Sequence, residues 1–411
     1  MERLPQLYAQ DVNPMGHLEG PRVSISDLKG ADVASSVFRY AYHPFEHQDS
    51  FDQVNAYYHF QRAHRRFAGT LGVRNASWFD KGDPILVRVN ATGTCGAVYS
   101  PDLEGNGRPG FTFADQDNCG SSHEDFSRDS DVIYHEYTHG ILDWTGIDLG
   151  LAPLNSYQRA VNEAVADYHA ANFTGDPLLG GVAGEPRSLD NSKVYPDDVP
   201  CDEFDRREEH CTGEIWGGLL WDLQSAVGSG AEQLEFASLD HLVDRWPDGH
   251  VATWIDFWDA TFALLEADRE LHDGANGSLI YGVAASRGLL GPLSFVDDHV
   301  SVIYEELSRE SKFKSIGWIY GPKQRVPYYF SAPDGRAVTI RVRSTSSLQP
   351  GFVLRNGAGS GSAIVAASER PVRAGGVLRS VLPPTASLYV LEVFALDGAE
   401  TGTFQISIAV H

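Results

Sequence analysis

The stretch Asp131-Val132-Ile133-Tyr134-His135-Glu136-Tyr137-Thr138-His139-Gly140 constrains the chain more than any other. Residues four apart in a helix lie one turn above each other, so His135 and His139 aim two imidazoles at a single point. Glu136, beside the first histidine, is too near in sequence to complete the same coordination shell. It is well placed to hold and deprotonate a metal-bound water. This is the spacing of a zinc hydrolase site. A His-Glu-x-x-His string arises by accident in on the order of a few per cent of chains this long, so context has to decide. Ser130 or Asp129 can cap the helix, Gly146 can stop it, and Val132, His135, Glu136 and His139 share one face.

A third ligand should come from a second helix, and residues 155–173 supply one. Asn155 or Ser156 can cap it, and Tyr157, Ala160, Val161, Ala164, Val165 and Tyr168 form its buried stripe. Glu163 as a carboxylate ligand completes a His, His, Glu set and leaves a fourth position open for water, the layout of a catalytic zinc. Asp167, one turn further, can accept the free N–H of a ligating imidazole. Two carboxylates near an apolar helix side are costly to bury unpaired, which favours a nearby cation over a solvated acidic face.

His-Glu-x-x-His followed by Asn162-Glu163-x-x-x-Asp167 resembles the gluzincin metallopeptidases of the thermolysin and fungalysin families, and Glu136-Tyr137-Thr138-His139-Gly140 is especially similar to fungalysins. The metzincin alternative would place a third histidine where Thr145 stands. The resemblance implies a zinc endopeptidase with His135, His139 and Glu163 as ligands, Glu136 as general base and Asp167 supporting a ligand. Arg187, in Arg187-Ser188-Leu189-Asp190-Asn191, is similar to the arginine that contacts substrate carbonyl and ligand glutamate. The run from His210 to Leu223 is similar to the helix opening with a histidine that donates to the oxyanion; developing negative charge needs such a donor. Asp205 would orient His210, with Asp202, Glu208 and Glu209 in competition. The strand that binds substrate backbone would fall at Gly96 to Tyr99, with Ala97 and Tyr99 as contacts, since strand addition explains sequence-tolerant binding. Tyr157, the nearest candidate to assist the oxyanion, lies on the wrong side of its helix.

Strands at 85–89, 96–100 and 111–113, preceded by a packing helix over 51–71 and followed by helices, predict an α+β catalytic domain. It would have a mixed N-terminal part (1–134) and a helical zinc-binding part (135–311), with the metal helix at the seam. His47, His59 and His64 lack a paired carboxylate and read as surface or core residues. Further helices are expected over 234–246, 254–268, 278–287 and 297–310, with Asp256, Asp259 and Asp268 as helix-surface charges. From about Ser315 short alternating runs at 328–330, 338–342, 387–393 and 403–408 read as an antiparallel β-sandwich (312–411), which resembles the bacterial pre-peptidase C-terminal domain. It is expected to serve secretion or substrate attachment.

A net charge of −24 argues against nucleic acid and anionic membranes as partners. No apolar run approaches the roughly 20 residues of a membrane span, and residues 1–20 carry no signal-peptide core. The four cysteines fall as two local pairs. In an exported protein they would form disulfides Cys95–Cys119 and Cys201–Cys211, the favoured reading; in a cytosolic one they would be thiols. The expectation is a secreted, monomeric zinc metalloendopeptidase acting on protein or peptide. Its rivals are a zinc hydrolase of non-peptide amides or esters and an inactive peptidase-fold binding protein. Calcium is a further candidate at the acidic loop 197–205, for which a solvated charge run is the preferred reading.

Overall fold

The computed structural model describes residues 15–35, 42–43, 46–73, 84–118, 124–147, 149–150, 156–184, 186–199, 208–243, 255–289, 312–319, 325–332, 336–357, 362–368, 376–381, 388–396 and 402–411. They form two compact units, residues 1–193 with 197–236, and residues 194–196 with 237–411.

The first unit opens with β1 (Val23–Asp27), α1 (Gln48–Gly69), β2 (Ile85–Ala91), β3 (Ala97–Ser100) and β4 (Gly110–Ala114). The sheet runs β1-β2-β4-β3, with β1, β2 and β4 parallel and β3 antiparallel to β4 at the edge. Parallel neighbours need a crossover, and α1 supplies the one between β1 and β2. Its apolar stripe Val54, Tyr57, Phe60, Ala63 and Phe67 is buried, and Phe60 meets the β4 residue Phe111 with ring centroids 4.8 Å apart. Tyr137 of the next helix stacks on the same Phe111, so the motif helix is packed directly over the sheet. Of the α1 histidines, expected as surface or core residues, His64 is buried and His59 Nδ1 lies 2.6 Å from Tyr134 Oη.

Three helices follow, α2 (Ser130–Trp144), α3 (Tyr157–Thr174) and α4 (Glu209–Val227). Asp129 caps α2 by accepting from Asp131 N–H, and Ser156 caps α3 by accepting from Arg159 N–H, as their positions predict. Gly175 ends α3 at φ 75°, a left-handed turn that a side chain would strain. The division between the units falls within α5 (Gly230–Val243).

The second unit holds α6 (Phe257–His272), α7 (Gly277–Ser286) and two four-stranded antiparallel sheets. One sheet orders β11 (Ala363–Ser368), β10 (Pro350–Asn356), β13 (Tyr389–Ala395) and β8 (Arg325–Phe330); the other orders β12 (Gly376–Val381), β9 (Ala337–Ser344), β14 (Gly402–Val410) and β7 (Lys312–Ile319). Alternating residues of both sheets, Tyr328, Phe330, Ile340, Phe352, Leu391, Phe404 and Ile406 among them, share one buried core. The predicted α+β part followed by an all-β sandwich is thus the observed fold class.

One expectation is corrected. Asp256 and Asp259 form a capping box at the start of α6, and Asp268 is fully buried, not a surface charge. Its carboxylate accepts from Asn276 N–H and Nδ2, closing the turn into α7. The predicted helix 297–310, and Asp205, Cys119 and Cys201, lie outside the described residues. Among the described residues no cysteine is free.

Candidate metal centre

The sequence folds α2 and α3 so that their polar residues meet. Every turn of α3 from Gln158 to Phe173 is buried, including Asn162, Glu163, Asp167 and His169. Such polar residues need partners; α2 supplies them for Asn162, Glu163 and Asp167, and α5 for His169. His135 Nε2 and His139 Nε2 stand 3.0 Å apart, and Glu163 Oε2 lies 3.1 Å from the first and 3.3 Å from the second. Glu163 Oε2 is buried with no hydrogen bond made to it. Ligand atoms about 2.0–2.1 Å from a tetrahedral zinc stand roughly 3.3 Å apart, so the three atoms are spaced as donors to one ion. Among the described residues this is the one group of histidine, cysteine and carboxylate side chains that could hold a metal.

Behind the three atoms, each imidazole is held by its other nitrogen. His135 Nδ1 lies 2.7 Å from Asp167 Oδ1, and Asp167 is in turn gripped by Arg187, Nε to Oδ2 at 2.6 Å and Nη2 to Oδ1 at 2.7 Å. A proton on Nδ1 shared with Asp167 leaves the Nε2 lone pair facing Glu163 and His139. The side-chain amide of Asn162 lies 3.1 Å from His139 Nδ1. The motif spacing assigns Asn162 no role; its place immediately before the candidate carboxylate ligand is the available signal.

Electrostatics gather positive charge at the same point. Burial opposes the charged form of His135, but Asp167 and Glu163 outweigh it and lift the ring to about 10. Burial likewise opposes ionisation of Glu163 and Asp167. The surrounding histidines, and for Asp167 the Arg187 guanidinium, nevertheless hold both carboxyls well below their usual range.

The cleft in front of these atoms has a volume of about 370 Å³. Edge strand β3, with Pro101 beyond it, forms one wall, so Ala97 and Tyr99 both line it, with Glu136, His210, Leu142 and Ile147 among the rest. Tyr99 N–H donates to Glu136 Oε2 at 2.7 Å, and Tyr99 Oη to Asp143 Oδ2 at 2.5 Å, pinning the strand to α2 at two points. His210 sits at the start of α4 with Nε2 3.3 Å from Glu163 Oε2. Its Nδ1 lies 2.6 Å from Glu208 Oε1, so the ring is oriented by the helix cap, one of the acids weighed against Asp205. Burial lowers the affinity of His210 for a proton, while Glu208 and Glu163 more than restore it. Glu208 itself is lowered to about 2, its burial outweighed by His210 and the Cys211 N–H.

Arg187 is absent from the residues that line the cleft, and its guanidinium grips Asp167 behind His135. Tyr157, also absent from the lining, lies elsewhere on α3, as the helical period requires. The approach of α4 to α3 depends on small residues. A Cβ on Gly213 would stand 2.7 Å from the Ala160 carbonyl oxygen, and one on Gly217 2.7 Å from a methyl of Leu189.

No family model matches the chain. It is 24% identical over 255 residues to "Extracellular metalloproteinase 3" of Trichophyton soudanense and of Trichophyton violaceum, the match spanning 54% of this chain and 64% of each relative. The chain therefore covers less than two thirds of the length of these relatives. Among solved structures it is similar to the precursor of protealysin, a metalloproteinase from Serratia proteamaculans, at a TM-score of 0.48 and 16% identity over 64% of this chain and 86% of that one. A second likeness is to the pre-peptidase C-terminal domain of a Bacillus anthracis collagenase, at a TM-score of 0.20 and 15% identity over 26% of this chain and 95% of that domain.

Proposed function

We infer that the chain is a zinc-dependent metalloendopeptidase of the gluzincin type, with His135, His139 and Glu163 as metal ligands. The observation that carries this reading is the spacing of three ligand atoms at 3.0 to 3.3 Å around a buried carboxylate oxygen that has no hydrogen bond of its own. Zinc, when bound, supplies Lewis acidity to a substrate carbonyl and acidity to the attacking water.

Everything else falls to side chains of this chain. Glu136, held by Tyr99 N–H in the cleft, takes the proton of the attacking water and returns it to the leaving amine. His210, its ring fixed through Nδ1 by Glu208, donates from Nε2 to the oxyanion. Asp167 and Asn162 hold the two imidazoles in orientation, and Arg187 holds Asp167. Ala97 and Tyr99, on edge strand β3 at the wall of the cleft, receive an extended peptide as an added strand.

The likeness to extracellular metalloproteinases supports export, in which setting Cys95–Cys119 and Cys201–Cys211 are the proposed disulfides. Among the described residues no helix is long and apolar enough to cross a membrane. The split of the catalytic part into 1–134 and 135–311, ahead of a β-sandwich over 312–411, is a functional division, since compactness alone groups 237–411 together. Monomeric action completes the proposal. Casein digestion with and without a chelator, coupled to elemental analysis, tests it. One zinc per chain and chelator-sensitive cleavage are expected; cleavage that survives removal of the metal would overturn it. Metal-dependent ester hydrolysis without proteolysis would favour the non-peptide hydrolase.

A further inference from the structure

Among the described residues that line the cleft, Arg159 is the single lysine or arginine. It sits on α3 four residues before Glu163, one helical turn or about 6 Å along the axis, so its neighbourhood adjoins the point where a scissile bond would lie. Leu142, Ile147 and Gly150 line the cleft with it.

The guanidinium is only partly used. Its Nη1 donates to the Gly150 carbonyl at 3.2 Å. Its Nε faces Glu209 Oε1 at 3.4 Å, an ion pair too long to satisfy the donor, and that buried Nε makes no hydrogen bond. A guanidinium carries five N–H donors in a planar fork, so several remain for a ligand. The side chain keeps 25% of its exposure and is therefore open to one. The other acids of the cleft are committed: Glu136 and Asp143 to Tyr99, and Glu163 to the imidazoles. Burying an arginine at the wall of an apolar subsite is costly unless something answers its charge. Glu209 answers it in part.

Resting on the peptidase reading, we propose that Arg159 is the specificity-determining residue of this cleft and selects peptides with a carboxylate side chain, glutamate or aspartate, on a residue flanking the scissile bond. Arginine and carboxylate match as a bidentate pair, and a site built to bond a charged group rejects the isostere lacking that charge.

The test uses the full chain and peptides blocked at both ends that differ only in Glu or Gln on either side of the cleaved bond, with products mapped by mass spectrometry. The wild-type protein should cleave the Glu peptide with kcat/KM about 10- to 100-fold above the Gln peptide, the range expected of a charge-assisted bond. Arg159→Met should bring this ratio close to one. Glu209→Gln, which removes the competing carboxylate, should raise it. A structural ion pair would respond to both changes in the same direction, so the opposite signs are diagnostic. A wild-type ratio of one or less, with both peptides cleaved, overturns the subsite and leaves the peptidase standing. So does an unchanged ratio in Arg159→Met. If the protein with its metal cleaves neither these peptides nor casein, the peptidase reading fails, and the subsite with it.

Discussion

Glu136 has one hydrogen-bond partner in the cleft, the amide of Tyr99, and no place in the shell of ligand atoms. Glu136→Gln should therefore retain zinc in elemental analysis and lose peptide cleavage; retained turnover would remove its role as base. His210→Ala should lower kcat by roughly two to three orders of magnitude with little change in KM, as loss of an oxyanion donor does. Because Glu208 raises the proton affinity of His210, Glu208→Gln should make that ring deprotonate at lower pH. The alkaline limb of the kcat profile should then move to lower pH, which a pH–rate series measures. His135 and His139 were legible because helical spacing sets them on one face a turn apart, and Glu136 and Glu163 because the motif resemblance marks them. The partner of His210 was not. Five acids lie within eight residues before it, and among the described residues it is the cap conformation of Glu208 that brings a carboxylate onto Nδ1.

Caps explain why the metal helix begins where it does. Asp129 accepts from Asp131 N–H through Oδ1 and from the N–H groups of Val182 and Ala183 through Oδ2, so one carboxylate starts α2 and anchors the loop ahead of Arg187. Asp129→Ala should cost about 2 kcal/mol or more in urea denaturation, because a cap is lost and two further amides lose their acceptor. Ser156→Ala, a cap alone, should cost about 1 kcal/mol. In the sandwich, β8, β9, β13 and β14 were readable from alternation, whereas β7, β10, β11 and β12 were not. β10 opens with Pro350-Gly351, a turn signature, yet its residues to Leu354 are buried without alternation. β11 is rich in alanine, a weak strand former, and is held by pairing to β10. Asp268 was misread because a helical period shows which face a residue occupies but not that the following loop returns to cover it.

For the molecule as a whole, the proposed metal and the buried titrating groups both bear on stability. A ligand that binds only the folded chain raises the melting temperature, so chelation should lower it, and added zinc should restore it. Away from the cleft, His169 is fully buried between Glu232 and Glu235, and Arg66 holds Glu232. Burial opposes the charged ring, but the two carboxylates raise it to about 9 from 6.5. A folded-state value above the unfolded one gives stability that is complete below pH 6.5 and lost as pH rises through about 9. Asp52, raised to about 8 by its burial against the pull of Arg128, acts with the same sign. Melting temperature should thus fall between pH 7 and 10, and His169→Gln should flatten that decline. A flat wild-type profile would remove the linkage. With a net charge of −24, moderate salt should also raise the melting temperature by screening self-repulsion.

The bare backbone of Gly213 acts as a spacer of zero thickness. Since even one methyl group there would collide with the Ala160 carbonyl, any residue but glycine forces the two rods apart. The first casualty is the reach from His210 to Glu163, now 3.3 Å. An alanine at that position should give a protein that still melts cooperatively and still captures its ion, yet turns over slowly: a lesion of distance alone.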